Sequence, residues 1–129
     1  MSKVVVDASA VLALLNQETG SEEILQLIDN AAISSLNLSE IIAKLADPGI
    51  PEEEIRQILL HLNLEVVLFH EEQALRAGMM PPATKSIGLS FGDCACLALG
   101  IFLNQPVITT DRLWSNLNLG VEIRVVPYS

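Results

Sequence analysis

Three aspartates occupy positions from which they could act together on one substrate. Asp7 directly follows the apolar run Val4–Val6. Asp111 comes just after the β-branched run Val107–Thr109, a composition typical of a buried parallel strand. Asp93 opens the most apolar helical stretch of the chain. Because ligands of open α/β sheets bind at the carboxyl ends of the strands, these positions predict three carboxylates at one sheet edge.

Three carboxylates at one place would repel one another. Two unit charges about 4 Å apart repel by about 4 kcal/mol at an effective dielectric constant of about 20, so such a cluster strains the fold unless it is protonated or binds a cation. Hard carboxylate oxygens suit Mg²⁺ or Mn²⁺. An ion of this kind can lower the pKa of a bound water, and a pair of ions can hold the attacking and leaving oxygens of a phosphodiester. The pattern therefore favours hydrolysis of a phosphate ester.

Each acidic residue also has an ordinary structural explanation. Asp7 and Asp111 could cap the helices that follow them. Asp93 could complete a capping box with Ser90, and Glu40 could be a solvated residue on the polar side of its helix. For any single residue the structural explanation is the better one, but it weakens when the three aspartates are considered together.

An apolar helix is predicted directly after Asp93. Ala95, Leu99 and Phe102 have the spacing of residues on the core-facing side of a helix. Residues 94–103 are apolar on nearly every face, yet the stretch is too short to span the roughly 30 Å of a bilayer core. We therefore expect a helix buried in the protein core.

Short apolar runs alternate with helical spacings along the whole chain. The runs predicted as strands are Val4–Val6, 32–34, 64–69, Val107–Thr109 and 121–126. The proline-containing segment 79–89 is expected to be irregular, and Glu122 and Arg124 are expected to point outward from an edge strand. These elements predict one domain of residues 1–129, a three-layer α/β/α fold with a central, mostly parallel, five-stranded sheet.

The chain is strongly acidic. Its formal net charge of −9 argues against a protein that holds nucleic acid mainly through a basic surface. A substrate that carries phosphate would need another cation, which a carboxylate-bound metal could supply. Lys85 and Arg112 are the candidate contacts to such a substrate, although Lys85 could equally be a solvated surface lysine and Arg112 could equally pair with a neighbouring carboxylate.

Other reactive side chains are assigned structural roles. Cys94 and Cys96 point to different faces of one helix, so we expect buried free thiols in a reducing cytosol. Trp114 has the spacing of a core residue, and His61 and His70 lack the spacing of metal ligands. An aspartate interrupts the first apolar run, so no signal peptide is expected. We predict a cytoplasmic protein that does not bind a membrane.

Four short motifs place the acidic residues in a recognisable order. They read Val-Val-Val-Asp7-Ala-Ser9-Ala, Leu-Ser39-Glu40, Gly88-Leu-Ser90-Phe-Gly-Asp93 and Val-Ile-Thr109-Thr-Asp111. Together they resemble the motifs of PIN-domain ribonucleases, especially the VapC-like toxins of toxin–antitoxin pairs. The resemblance covers essentially the whole chain in both order and spacing.

The resemblance implies a PIN fold and a Mg²⁺- or Mn²⁺-dependent endoribonuclease. Its acidic quartet would be Asp7, Glu40, Asp93 and Asp111. It also implies that Ser9 and Thr109 orient the ligands or the water on the metal. It further implies a homodimer and a cognate antitoxin encoded nearby, often one that extends an arginine toward the acidic pocket. Because the chain has few cations, we expect weak or narrowly selective binding of the RNA substrate.

Two other functions stay open at this point. A PIN scaffold could bind RNA or a protein partner without cutting, although all four acidic positions are filled. An aspartate-nucleophile phosphatase would use Asp7 as the nucleophile. Such enzymes resemble one another in a second aspartate two residues later, and this chain has Ser9 at that position. A phospho-receiver domain is less suitable because the acidic pair and the lysine after a strand are missing from the sequence.

Overall fold

The computed structural model describes residues 2–128. Its strands are β1 (Val4–Val6), β2 (Ala31–Ser34), β3 (Glu65–Val67), β4 (Val107–Thr109) and β5 (Ile123–Val125). Its helices are α1 (Ala8–Leu15), α2 (Ser21–Leu27), α3 (Ser35–Ala46), α4 (Glu52–Leu62), α5 (Glu71–Gly78), α6 (Pro81–Thr84) and α7 (Phe91–Leu103). Short 3₁₀ segments lie at Ile28–Asn30, Lys85–Ile87 and Arg112–Asn116. In this part of the chain, no helix combines the length and the apolar character needed to cross a membrane.

The five strands form one sheet in the order β3-β2-β1-β4-β5. All four neighbouring pairs are parallel, which confirms the expected sheet and makes it wholly rather than mostly parallel. The strand order reverses at β1, so the crevice between β1 and β4 is the topological switch point where such sheets bind ligands. Val6 is in register with Ile108, and the next residues along these strands are Asp7 and Thr109.

Helices cover both faces of the sheet. Val4 and Val6 belong to a core cluster that also contains residues of α1, α2, α3 and α4. Val5 points to the opposite face, where the core is built largely from α7. This alternation follows from the two-residue repeat of a strand, and burial on both faces explains why β1 consists of valine alone. The predicted three-layer α/β/α architecture is confirmed.

The segment 79–89 is more regular than predicted. It contains α6 and the 3₁₀ turn that follows, and Pro81 and Pro82 occupy the first positions of α6. The first helical residues have no partner for their backbone N–H, so proline is tolerated there. Here proline begins a helix instead of preventing one.

The outer strands are shorter than predicted. β3 and β5 each span three residues, and both lie at the edges of the sheet. The prediction of an edge strand at the end of the chain is confirmed. There the side chains of Glu122 and Arg124 pair with each other at 2.6 Å and are partly exposed to solvent.

α7 is buried along most of its length, as predicted. Cys94 and Cys96 are buried free thiols, and Trp114 is fully buried against the same core cluster. The prediction that Phe102 faces the core is wrong, because half of this residue is exposed. Its ring packs edge-on against His70, the N-cap of α5, at a centroid distance of 4.7 Å.

Gly100 allows α7 to approach β4 closely. A Cβ at this position would overlap Val107 Cγ2 and would lie 3.0 Å from Val121 Cγ2. Because Val107 is buried and β-branched, it has little freedom to move aside. We expect Gly100→Ala to lower the free energy of unfolding by about 1–3 kcal/mol, measured by urea denaturation.

Gly78→Ala is the matched control for this prediction. Gly78 is also helical, but no neighbouring atom lies within 4 Å of the position that a Cβ would take there. We expect Gly78→Ala to keep or raise stability, because alanine has the higher helix propensity. Equal stability of Gly100→Ala and the wild type would show that β4 does not confine α7 at this point.

Candidate active site

Asp7 lies at the carboxyl end of β1 and is almost completely buried. It is the N-cap of α1, because its Oδ1 accepts a hydrogen bond from Ala10 N at 2.8 Å. Ser9 Oγ lies 2.8 Å and 2.9 Å from the two carboxylate oxygens, and Thr109 Oγ1 donates to Oδ2 at 2.5 Å. The capping role considered from the sequence is therefore present. It also fixes the carboxylate at the switch point of the sheet.

Burial raises the pKa of Asp7 from 3.8 to about 6. Its hydrogen bonds to Thr109, Ala10 and Ser9 lower the pKa and offset part of this effect, while the negative charge of Asp93 raises it further. The ion pairs within residues 2–128 join Arg56 to Glu52 and Arg124 to Glu122, so no cation in that range pairs with Asp7. Asp7 is thus a desolvated carboxylate without a counter-charge in this part of the protein.

The charges of three predicted acidic residues act on the thiol of Cys96. Burial is the largest cause of its raised pKa, and the charges of Asp7, Asp93 and Glu40 each raise the pKa further. Cys96 lies one helical turn after Asp93 in α7. The fold therefore brings carboxylates from β1, α3 and α7 to one region.

Glu40 is held in place by a neighbour that sequence reasoning missed. Asn37 Nδ2 donates to Glu40 Oε1 at 2.7 Å and to Gly92 O at 2.9 Å. A Cβ on Gly92 would lie 2.7 Å from Glu40 Cδ, so the absence of a side chain at Gly92 makes room for the carboxylate. The three-residue spacing between Asn37 and Glu40, which places them on one helix face, was the available signal.

Asp93 and Asp111 both cap helical turns. Asp93 forms the predicted capping box with Ser90, since its Oδ2 accepts from Ser90 N at 2.9 Å and Ser90 Oγ accepts from Asp93 N at 3.1 Å. Asp111 Oδ1 accepts from Leu113 N at 3.0 Å. Asp111 N donates to Thr109 Oγ1 at 3.1 Å, which connects it through Thr109 to Asp7.

A chain of hydroxyl groups surrounds Asp7. Ser9 and Thr109, both predicted as supporting residues, contact its carboxylate directly. Thr110, which the sequence analysis did not single out, donates from Oγ1 to Ser9 Oγ at 3.0 Å. Hydroxyl groups that donate to a carboxylate stabilise its ionised form and fix its orientation.

The two predicted substrate contacts are on the surface. Lys85 is exposed in the 3₁₀ turn Lys85–Ile87. Arg112 is also exposed, and its Nη2 donates to Pro127 O at 2.8 Å. Within residues 2–128 neither side chain forms an ion pair, so the alternative in which Arg112 pairs with a nearby carboxylate does not hold there.

The acidic residues suit a hard divalent cation, although they do not form a closed cage. Among residues 2–128 no group of three or more His, Cys, Asp and Glu side chains is already arranged to hold a metal. Mg²⁺ commonly takes one or two protein carboxylates and completes its coordination with water and substrate phosphates. Asp7 and Asp93, which repel each other, fit that requirement because a cation between them would offset both the repulsion and the burial of Asp7.

Comparison with protein families agrees with this architecture. The family model described as the PIN domain matches residues 4–118. No curated protein sequence gives a significant match to the chain.

Several solved structures share the fold. A chain of the DNA-bound VapBC structure from Salmonella typhimurium is 20% identical with a TM-score of 0.75, and the alignment covers 97% of this chain and 98% of that one. A chain of VapBC2 from Rickettsia felis, bound to a DNA fragment from its promoter, is 17% identical with a TM-score of 0.72, covering 95% and 97%. A chain of VapBC-1 from Haemophilus influenzae is 20% identical with a TM-score of 0.67, covering 95% and 96%.

Proposed function

This chain belongs to the PIN-domain family, and from that premise we propose that it is a Mg²⁺- or Mn²⁺-dependent endoribonuclease, the toxin of a toxin–antitoxin pair. The observation that carries the proposal is the buried Asp7 carboxylate, which lacks a cationic partner in residues 2–128 and is repelled by the charge of Asp93. The ionised form of such a group lowers stability when no cation is bound, and a divalent cation would offset this cost. The similarity to VapBC structures supports the assignment to a toxin.

The proposed metal ligands are the acidic quartet of the sequence analysis. These residues are Asp7, Glu40, Asp93 and Asp111. A divalent cation bound there would offset the negative charge that develops on the scissile phosphate and would lower the pKa of the attacking water. Asp7 and Thr109 come from neighbouring strands, so the sheet itself fixes their separation. Glu40 and Asp93 come from α3 and α7, which Asn37 joins.

Ser9 and Thr109 serve this chemistry by keeping Asp7 ionised and oriented. Each hydroxyl contacts the carboxylate, and each opposes the rise in the pKa of Asp7 that burial causes. Because a carboxylate must lose its proton before it can bind a cation, these two hydroxyl groups favour the state that binds metal. They are positioning residues in this proposal.

We assign Lys85 and Arg112 to contacts with the RNA backbone. Both are exposed, and Arg112 uses one N–H to bind Pro127 O, which leaves other guanidinium donors for a phosphate. The net charge of −9 opposes non-specific binding, so recognition of a few nucleotides or of one RNA shape is expected instead.

Cleavage of a panel of structured and single-stranded RNAs tests the proposed function. Wild type and Asp93→Asn are purified identically and incubated with Mn²⁺ or with EDTA. We expect wild type to cut with Mn²⁺, and both EDTA and the substitution to reduce the rate by about 100-fold or more, since a metal supplies several kcal/mol of charge stabilisation.

Three other results would reject the proposal. Equal cutting by wild type and Asp93→Asn would indicate a contaminating nuclease. RNA binding without cutting, in the presence of Mn²⁺, would favour the scaffold alternative. Hydrolysis of a simple phosphomonoester with no cutting of RNA would favour the phosphatase alternative.

The proposed protein partner is a cognate antitoxin. The similar solved structures include VapBC complexes and a toxin–antitoxin complex from Klebsiella pneumoniae. In this chain, an apolar groove between α3 and α4 is lined by Ile42, Ile50, Ile55 and Leu59 and suits an apolar segment of another protein. The protein encoded beside this chain is the first candidate, and inhibition of RNA cleavage by that protein is the required result.

We further propose a cytoplasmic homodimer. Leu75 on α5 and Met79, the residue directly after α5, expose most of their surface beside a groove that Met80 and Ile101 also line. Apolar side chains grouped in this way are typical of surfaces that another subunit covers. Sedimentation equilibrium of the purified chain measures the dimer directly. The cytoplasmic location is supported by the free thiols of Cys94 and Cys96, which are typical of a reducing compartment.

A further inference from the structure

Asn37 is a buried amide that uses only one side of its functional group. It is 1% exposed, and its Nδ2 donates both to Glu40 Oε1 and to Gly92 O. Its Oδ1 is buried without a hydrogen-bond partner among the described residues. A buried oxygen of this kind is unfavourable, so a residue that retains it is expected to be needed for what its nitrogen does.

The Asn37 nitrogen connects two helices at the acidic site. Asn37 and Glu40 share one face of α3, whereas Gly92 lies in the first turn of α7, directly before Asp93. The hydrogen bond to Gly92 O holds α3 beside α7, and the hydrogen bond to Oε1 holds the Glu40 carboxylate against Gly92. Both distances are short, at 2.7 Å and 2.9 Å.

We propose that Asn37 is a positioning residue that holds Glu40 beside Asp93 and thereby sets the affinity of the acidic site for a divalent cation. This inference rests on the proposed function. Without Asn37, the Glu40 side chain, which is partly exposed, would have several rotamers available in water. Removal of a residue that hydrogen-bonds to a metal ligand and orients it typically lowers metal affinity or activity by about 10- to 100-fold.

Gln73 provides a matched control within the same chain. It is also 1% exposed, its Nε2 donates to Leu68 O at 3.2 Å, and its Oε1 is buried without a described partner. The difference is that Gln73 bonds to a backbone carbonyl of the loop before α5 instead of to a carboxylate of the site. Gln73→Leu therefore removes a buried amide without removing a contact to an acidic residue.

Mn²⁺ binding to the metal-depleted full chain tests the proposal, with the electron paramagnetic resonance signal of free Mn²⁺ as the readout. Asn37→Leu keeps the number and branching of the side-chain heavy atoms and removes the unpaired oxygen, so its Tm should fall less than that of Asn37→Ala. Asn37→Ala leaves a cavity and should lower the Tm. We expect both variants to raise the Kd for Mn²⁺ by about 10- to 100-fold, whereas Gln73→Leu keeps the wild-type Kd.

The unequal effects of the two Asn37 variants on Tm separate positioning from a structural role. If loss of metal affinity merely followed loss of stability, the rise in Kd would be much larger for Asn37→Ala than for Asn37→Leu, in proportion to the fall in Tm, which would overturn the proposal. A Kd for Asn37→Leu within about threefold of a measurable wild-type Kd would overturn it as well. Absence of Mn²⁺ binding by the wild type would instead reject the proposed function, and this inference with it.

Discussion

Asp7→Asn is expected to abolish RNA cleavage and Mn²⁺ binding without unfolding the protein. The asparagine keeps an oxygen that can accept from Ala10 N, so the cap of α1 is retained. It removes the negative charge that a hard divalent cation requires. Because the metal is expected to supply several kcal/mol of transition-state stabilisation, the cleavage rate should fall by about 100- to 1,000-fold.

Asp29→Asn is the control for this substitution. Asp29 is exposed and lies in the turn before β2, at the amino ends of the parallel strands and so at the opposite edge of the sheet. Asp29→Asn changes the net charge of the chain by the same amount as Asp7→Asn. We expect its RNA cleavage and Mn²⁺ affinity to match the wild type. Retention of cleavage in Asp7→Asn at the wild-type rate would exclude Asp7 from the metal site.

Asp7→Asn should also make the metal-free protein more stable than wild type, by an amount that depends on pH. The folded state binds the Asp7 proton with a pKa of about 6, whereas the unfolded chain is expected near the ordinary value of 3.8. Between these values the unfolded state holds fewer protons, so the Asp7 contribution to stability falls as pH rises. The fall amounts to about 3 kcal/mol and is complete above about pH 7.

Urea denaturation of both proteins from pH 4 to pH 8, with EDTA present, measures this effect. The difference in unfolding free energy between Asp7→Asn and wild type isolates Asp7, because the other titrating groups are common to both proteins. We expect the difference to increase by about 2–3 kcal/mol in favour of the variant, mainly between pH 4 and pH 6. A difference that stays constant over this range would show that Asp7 is not desolvated in the folded state.

Mn²⁺ should remove most of the difference in stability between wild type and Asp7→Asn at pH 8. A ligand that binds the folded state at about 100 times its Kd adds about 2.7 kcal/mol to the free energy of unfolding. Wild type should gain this amount, and Asp7→Asn should gain little. Together, the two experiments would show that the ionised Asp7 carboxylate lowers the free energy of unfolding in the absence of metal. They would also show that metal binding offsets this loss, as expected for an active-site group.

The local patterns of the sequence predicted the architecture correctly. β1 and β4 are short, β-branched and buried on both faces, so their composition identifies them as central parallel strands. The capping box at the start of α7 depends on residues three positions apart, which the sequence displays directly. The prediction that the proline-containing segment 79–89 is irregular was wrong, because two prolines fit the first positions of a short helix.

The acidic residues themselves were also identifiable from the sequence. Asp7 and Asp111 follow strands, and Asp93 begins a helix, so a parallel sheet places all three toward one edge. Glu40 was found through the resemblance to PIN-domain motifs, since a glutamate within a helix has no distinguishing local pattern. The assignment of this quartet to metal binding is a proposal that the experiments above address.

Tertiary structure decided the properties that depend on contacts between distant residues. The pKa of Asp7 follows from burial and from Thr109, which lies on another strand, and neither can be inferred from the valines that precede it. Asn37 contacts Gly92 across 55 positions of sequence, so its role depends on the packing of α3 against α7. The sequence by itself determined which residues could do the chemistry, because strand and helix patterns are local. The tertiary structure decided which of them are desolvated, paired and oriented, because these properties arise only when separate elements meet.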